Sequence, residues 1–132
     1  DDTLAARLVE NERMSGSVQF HHTDIADVPS FPAAQIVYST YTLGLLGPTA
    51  LPEVWKKLVA ALPRGGVMAV DFFGTNDSWA ERPDVATLPL EQIDAMFRGF
   101  QVIDRSVRDE DGRFLADKKR WHVITTLARK LH

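Results

Sequence analysis

The side chains with most chemical potential are carboxylates and histidines set at the ends of apolar runs. Asp24 follows Val18-Gln19-Phe20-His21-His22-Thr23, and Asp71 lies inside Val67-Met68-Ala69-Val70-Asp71-Phe72-Phe73. A carboxylate within an apolar run needs a partner, because desolvating a charge is costly. Asp71 is therefore either satisfied structurally near the strand end or faces a substrate crevice. His22 and Asp24 have the spacing to face one side, but two ligands are too few for a metal and nothing else supplies a third. His21 and His22 then read as structural or surface histidines. Asp77-Ser78, ahead of Trp79, has the pattern of a helix cap as much as that of a polar loop site. Lys118-Lys119-Arg120 reads as a solvated basic patch, and Asp1 or Asp2 as a helix cap.

Composition narrows the classes available. The 132 residues are 45% hydrophobic and 25% charged, which suits one globular domain. A net charge of −3 disfavours nonspecific binding to nucleic acid or anionic membranes. The absence of cysteine excludes disulfides, thiolate metal sites and cysteine nucleophiles, and fits a cytoplasmic location. No apolar run approaches the ~20 residues needed to cross a bilayer. Asp1-Asp2-Thr3 carries no leader and no initiator Met, so processing or truncation is expected at this end. There is no G-x-S-x-G elbow of a hydrolase and no G-x-G-x-x-G of a dinucleotide enzyme.

The elements that must hold these residues follow from periodicity. A first helix starts at Asp2 or Thr3, with Leu4, Ala5, Leu8 and Val9 on one face and Gly16 as its stop. Val18 to Thr23 alternates like a short strand, Asp24 to Ala34 is a loop, and Gln35 to Ser39 reads as a buried strand. Leu51, Val54, Trp55, Leu58, Val59 and Leu62 fall on one helical face, with Pro52 suited to the first turn. Val67 to Phe73 reads as a strand covered on both faces. Gly74 to Pro89 is a long irregular stretch, and Leu90, Ile93, Met96 and Phe97 mark a short helix. Phe100 to Val107 and Arg120 to Ala128 form a β-hairpin, joined through Arg108-Asp109-Glu110-Asp111-Gly112 and a polar stretch. The alternation implies an α/β fold: a Rossmann-like parallel sheet with helices on both faces, to which the C-terminal antiparallel hairpin adds one antiparallel strand.

Leu62-Pro63-Arg64-Gly65-Gly66-Val67-Met68-Ala69-Val70-Asp71 resembles the "L-x-P-G-G" turn and strand of class I S-adenosylmethionine (SAM)-dependent methyltransferases. Val18 to Ile25 resembles their third strand and its acidic residue, Gln35 to Leu43 their fourth strand, and the hairpin their sixth and seventh. Phe72-Phe73-Gly74-Thr75-Asn76-Asp77-Ser78-Trp79 and Lys119-Arg120-Trp121-His122-Val123 look like the tellurite-resistance type within that superfamily. The family's glycine-rich cofactor loop has no counterpart in the chain. Residues 1–132 are thus expected to form a single partial methyltransferase-like domain, truncated at the N-terminus. Its remaining strands must close a gap, borrow a strand from a partner chain, or stay partly exposed.

The resemblance implies roles for particular residues. Asp24 would accept a hydrogen bond from the adenine amino group, with Ile25 beside the ring; the alternative is a loop carboxylate or cap. Ser39, Thr40 and Tyr41 would line the methionine and sulfonium; the alternative is a turn for Ser39 and core packing for Tyr41. Asp1 or Asp2 would be a remnant of the ribose ligand. Asp77, Trp79 and His122 are the substrate-side candidates. Methyl transfer relies on alignment and desolvation rather than on an acid–base pair, so no residue is singled out as catalytic. The expected function is SAM-dependent methylation of a small molecule, with cofactor binding impaired in this chain alone. The alternative is a noncatalytic binding or dimerisation module derived from the same fold. The missing loop implies either truncation or an intertwined homodimer, with no metal, nucleic-acid or membrane partner expected.

Overall fold

The computed structural model describes residues 17–132. The expected first helix, and the readings of Asp1 and Asp2, lie outside the described residues. The strands are β1 (Ile36–Ser39), β2 (Val67–Phe73), β3 (Phe100–Phe114) and β4 (Asp117–Lys130), and the helices are α1 (Gly47–Ala61) and α2 (Leu90–Met96). The sheet order is β1-β2-β4-β3. β1 and β2 are parallel, and β4 runs antiparallel to both neighbours. β4 is thus the one strand of opposite direction, as the hairpin pattern implied.

Side chains alternate across β2. Met68, Val70 and Phe72 enter the main core with Leu51, Val54, Trp55 and Leu58 of α1, Ile93 of α2, and Phe97. Both described helices therefore cover one face; the expected first helix lies outside the described residues. On the other face Phe73 and Val123 pack with Val85, Trp79 and Trp121. The C-terminus of α1 is tied to the end of the hairpin: Lys130 Nζ donates to the carbonyls of Val59 and Leu62, each at 2.8 Å. A cation there also complements the negative end of the helix.

Several boundaries differ from those read from periodicity. Residues 17–24 have no regular secondary structure, so Val18 to Thr23 is not a strand. Alternation alone leaves backbone groups unpaired, and no described strand lies alongside to pair them. β1 is not buried: Ile36 and Tyr38 are 69% and 73% exposed, because no described element covers the face of the sheet on which they stand. α1 starts at Gly47, so Pro48 takes the first turn and Pro52 lies inside the helix. The hairpin turn is at Leu115-Ala116, between the paired residues Phe114 and Asp117, and not at residues 108–112. Gly112 stays within β3 because the indole of Trp121 lies against it; a Cβ there would come within 2.9 Å of Trp121 Cδ1.

Candidate functional site

β1 and β2 end near one another at the top of the sheet, and the candidate residues lie around these ends and on the adjoining part of β4. A concavity of about 360 Å³ opens at the end of β1, lined by Ile25, Val37, Tyr38, Ser39, Thr40, Thr42, Leu43 and Leu58. Ile25 is held there by the 3-10 turn Ile25–Asp27, whose N-cap is Asp24. Asp24 Oδ1 accepts the Ala26 N–H at 2.9 Å, so its second oxygen is the one left to receive an amino group. The turn is anchored to α1 through Lys57 Nζ, which donates to the Val28 carbonyl at 2.7 Å. Ile25, Ser39 and Thr40 are thus brought to one site, Asp24 sits beside it in a capping role, and Tyr41 does not line it.

Tyr41 turns away because its backbone is in the left-handed region, at φ 50. Asp71 holds it there: the Tyr41 N–H donates to Asp71 Oδ1 at 2.8 Å. The Tyr41 ring packs at 6.4 Å from Phe73 and 5.8 Å from Trp121. Asp71 is buried, and burial raises its pKa above the ordinary carboxylate value, with the Tyr41 N–H acting in the opposite sense. A raised folded-state pKa favours the protonated form, so this contribution to stability is present at acid pH and lost as pH rises through the folded pKa. Asp71→Asn keeps an oxygen for the Tyr41 N–H and removes the charge. We expect the variant to gain stability relative to the parent as pH rises from 3.8 towards neutrality, in urea titrations across that range. A parent whose advantage grows with pH would contradict the assignment.

The substrate-side candidates also come together. Asp77 is the N-cap of the 3-10 turn Ser78–Glu81, and its Oδ1 accepts the Trp79 N–H at 2.9 Å. Its Oδ2 accepts the His122 backbone N–H at 3.0 Å. Lys119 Nζ pairs with Oδ1 in a salt bridge whose side chains are 3% and 0% exposed. Asp77 is therefore engaged on both oxygens beneath the surface. The run Lys118-Lys119-Arg120 is not wholly a solvated patch: Lys119 is buried, with its ammonium 4.0 Å from the Trp79 ring centroid and 4.2 Å from that of Trp121. Strand alternation carries the signal that locates it, since Lys119 and Trp121 share a face. His122 Nδ1 accepts the Asn76 N–H at 2.9 Å, so the neutral ring carries its hydrogen on Nε2. The ring lies against Gly74, where a Cβ would come within 2.2 Å of Nδ1. His21 and His22 are exposed in the irregular segment, and no group of three metal-binding side chains occurs among the described residues. No described helix is long and apolar enough to cross a membrane.

No family model and no curated protein matches the chain. Solved structures do. A SAM-dependent methyltransferase from Methanosarcina mazei superposes with a TM-score of 0.66 at 12% identity, over 98% of this chain and 76% of that one. TehB from Haemophilus influenzae gives 0.73 at 14% identity, over 98% of this chain and 47% of that one. The 1,6-didemethyltoxoflavin-N1-methyltransferase of Burkholderia thailandensis, solved with S-adenosylhomocysteine, gives 0.65 at 18% identity, over 99% and 56%. The chain thus spans about half the length of the latter two and three quarters of the first. At such identities the likeness is one of fold, and the fold is that of the class I SAM-dependent methyltransferases: an α/β, Rossmann-like sheet that ends in an antiparallel hairpin.

Proposed function

We propose that the chain is the latter part of a SAM-dependent methyltransferase acting on a small molecule, and that alone it holds the cofactor weakly. The observation that carries this reading is the concavity at the carboxyl end of β1, where ligands of such sheets bind. Its residues suit part of the group. Ile25, Leu43 and Leu58 offer an apolar wall to a planar base, Ser39 and Thr40 offer hydroxyls, and Asp24, the cap of the turn that carries Ile25, would accept an amino hydrogen on its second oxygen. Bound SAM supplies an electrophilic methyl group; the chain's task is to orient it and exclude water. The glycine-rich loop that would close on the amino-acid moiety has no counterpart in the sequence, which is the physical reason for weak binding. The cysteine-free composition favours a cytoplasmic setting.

Calorimetry with S-adenosylhomocysteine tests the reading. We expect dissociation in the high-micromolar to millimolar range, about 4–5 kcal/mol of binding, weakened further by Thr40→Trp, which fills the concavity. Low-micromolar affinity of the isolated monomer would overturn the impairment. The absence of any saturable binding would overturn the cofactor assignment.

A second reading, a noncatalytic dimerisation module, has support from one feature. Ile36 and Tyr38 stand exposed on β1, whose outer edge carries no described strand. Such edges recruit other chains. Native mass spectrometry separates the readings: a stable dimer that Tyr38→Lys dissolves favours the module.

A further inference from the structure

A second cavity lies apart from the concavity at β1 and shares no lining residue with it. It measures about 410 Å³ and is lined by Thr75, Pro89, Leu90, Glu91, Val107, His122 and Ile124. This volume is within the usual range for small-molecule sites. Its walls are apolar, and two of them, Leu90 and Val107, are 44% and 55% exposed. Three polar side chains line the same space: the Thr75 hydroxyl, the His122 ring with its hydrogen on Nε2, and the Glu91 carboxylate.

The charges around the cavity are unequally used. On α2, Asp94 is paired with Arg105, which also donates to Thr126 Oγ1 at 3.2 Å. Beside His122, Asp109 accepts from Asn76 Nδ2 and Arg120 Nε, each at 3.0 Å. Glu91 has neither hydrogen bond nor ion pair among the described residues. The cavity therefore presents one exposed carboxylate without an ion-pair partner, in the first turn of α2, together with an imidazole N–H donor and apolar side chains. We propose that it is a binding site for a small organic amine, its ammonium on Glu91 and its apolar body between Leu90, Val107 and Ile124. A hydroxyl or ether oxygen on such a ligand would take the His122 Nε2–H. The site takes in His122, one of the substrate-side candidates, but it does not depend on cofactor binding at the β1 concavity.

The test uses the full 132-residue chain and three matched probes: benzylamine, benzyl alcohol and benzoate. The ring signals of His122 in 1H–13C spectra report occupancy, and the S-adenosylhomocysteine titration on the same samples reports the cofactor site independently. Benzylamine should shift His122 saturably, with benzyl alcohol about three- to fivefold weaker and benzoate weaker still, because an exposed carboxylate gives its ammonium partner only a screened surface contact. Glu91→Gln, an exposed change that leaves folding intact by thermal melt, should erase the preference for the amine. Val107→Trp should block all three probes. Equal affinity for the three, an unchanged preference in Glu91→Gln, or no saturable shift would each overturn the proposal.

Discussion

Lys119→Met is expected to destabilise the protein by about 3–5 kcal/mol, a large part of the roughly 5–15 kcal/mol that holds a domain together. The substitution keeps an apolar stem of similar length against Trp79 and Trp121 but removes the cation from a carboxylate that is itself 2% exposed. The Trp79 and His122 N–H groups would still donate to Asp77, yet neither carries a charge. Pairing the change with Asp77→Asn should recover much of the loss, because no charge is then left buried. Urea unfolding of the two single variants and the double closes the cycle. A loss under about 1 kcal/mol for Lys119→Met would mean that the pair is solvated and that surface magnitudes apply.

Trp55→Ala should cost a similar amount, about 3–5 kcal/mol, by a different cause. Trp55 joins three elements. It lies on α1, edges against Phe72 of β2 at 5.5 Å and Phe97 at 5.2 Å, and donates its Nε1–H to the Met96 carbonyl at the end of α2. Truncation opens a cavity in the centre of the main core and frees that carbonyl. Trp79→Ala, at a half-buried ring beside the hairpin, should cost less and leave the α1 side intact. Thermal melts of the two variants compare them directly; a larger loss for Trp79 would place the stability centre in the wrong half of the molecule.

The parts of the fold legible in the sequence are those whose burial pattern is local. The apolar face of α1 and the near-continuous run of β2 report their own neighbours. Val18 to Thr23 does not, since alternation records a preference and pairing needs a partner strand. The Asp111-Gly112 pair resembles a hairpin turn, yet the glycine is required by Trp121 lying across β3, a contact between residues nine apart on opposite strands. Among the candidate residues, Ser39 and Thr40 are found at the end of β1, while Ile25 reaches the same concavity from a 3-10 turn that no strand precedes. The burial of Lys119 is not legible locally, because a run of three cations has the pattern of a solvated face and its counter-charge, Asp77, lies 42 residues away.

The hairpin is longer than the sheet it joins. β2 pairs with β4 from Val67↔Arg129 to Phe73↔Val123, and the Gly74 N–H donates to the His122 carbonyl at 2.7 Å, so from Trp121 to Asp117 β4 is paired to β3 alone. A two-stranded ribbon in water is marginal by itself. What fastens this one is the turn at Ser78–Glu81, through Asp77 to Lys119 and to the His122 amide, and through Ser78 Oγ, which accepts the Arg120 N–H at 2.7 Å. The overhang and the 74–81 loop are therefore one cooperative opening unit. Their amides should exchange with solvent together, at a free energy below that of global unfolding, while β2 and the adjoining half of β4 stay protected.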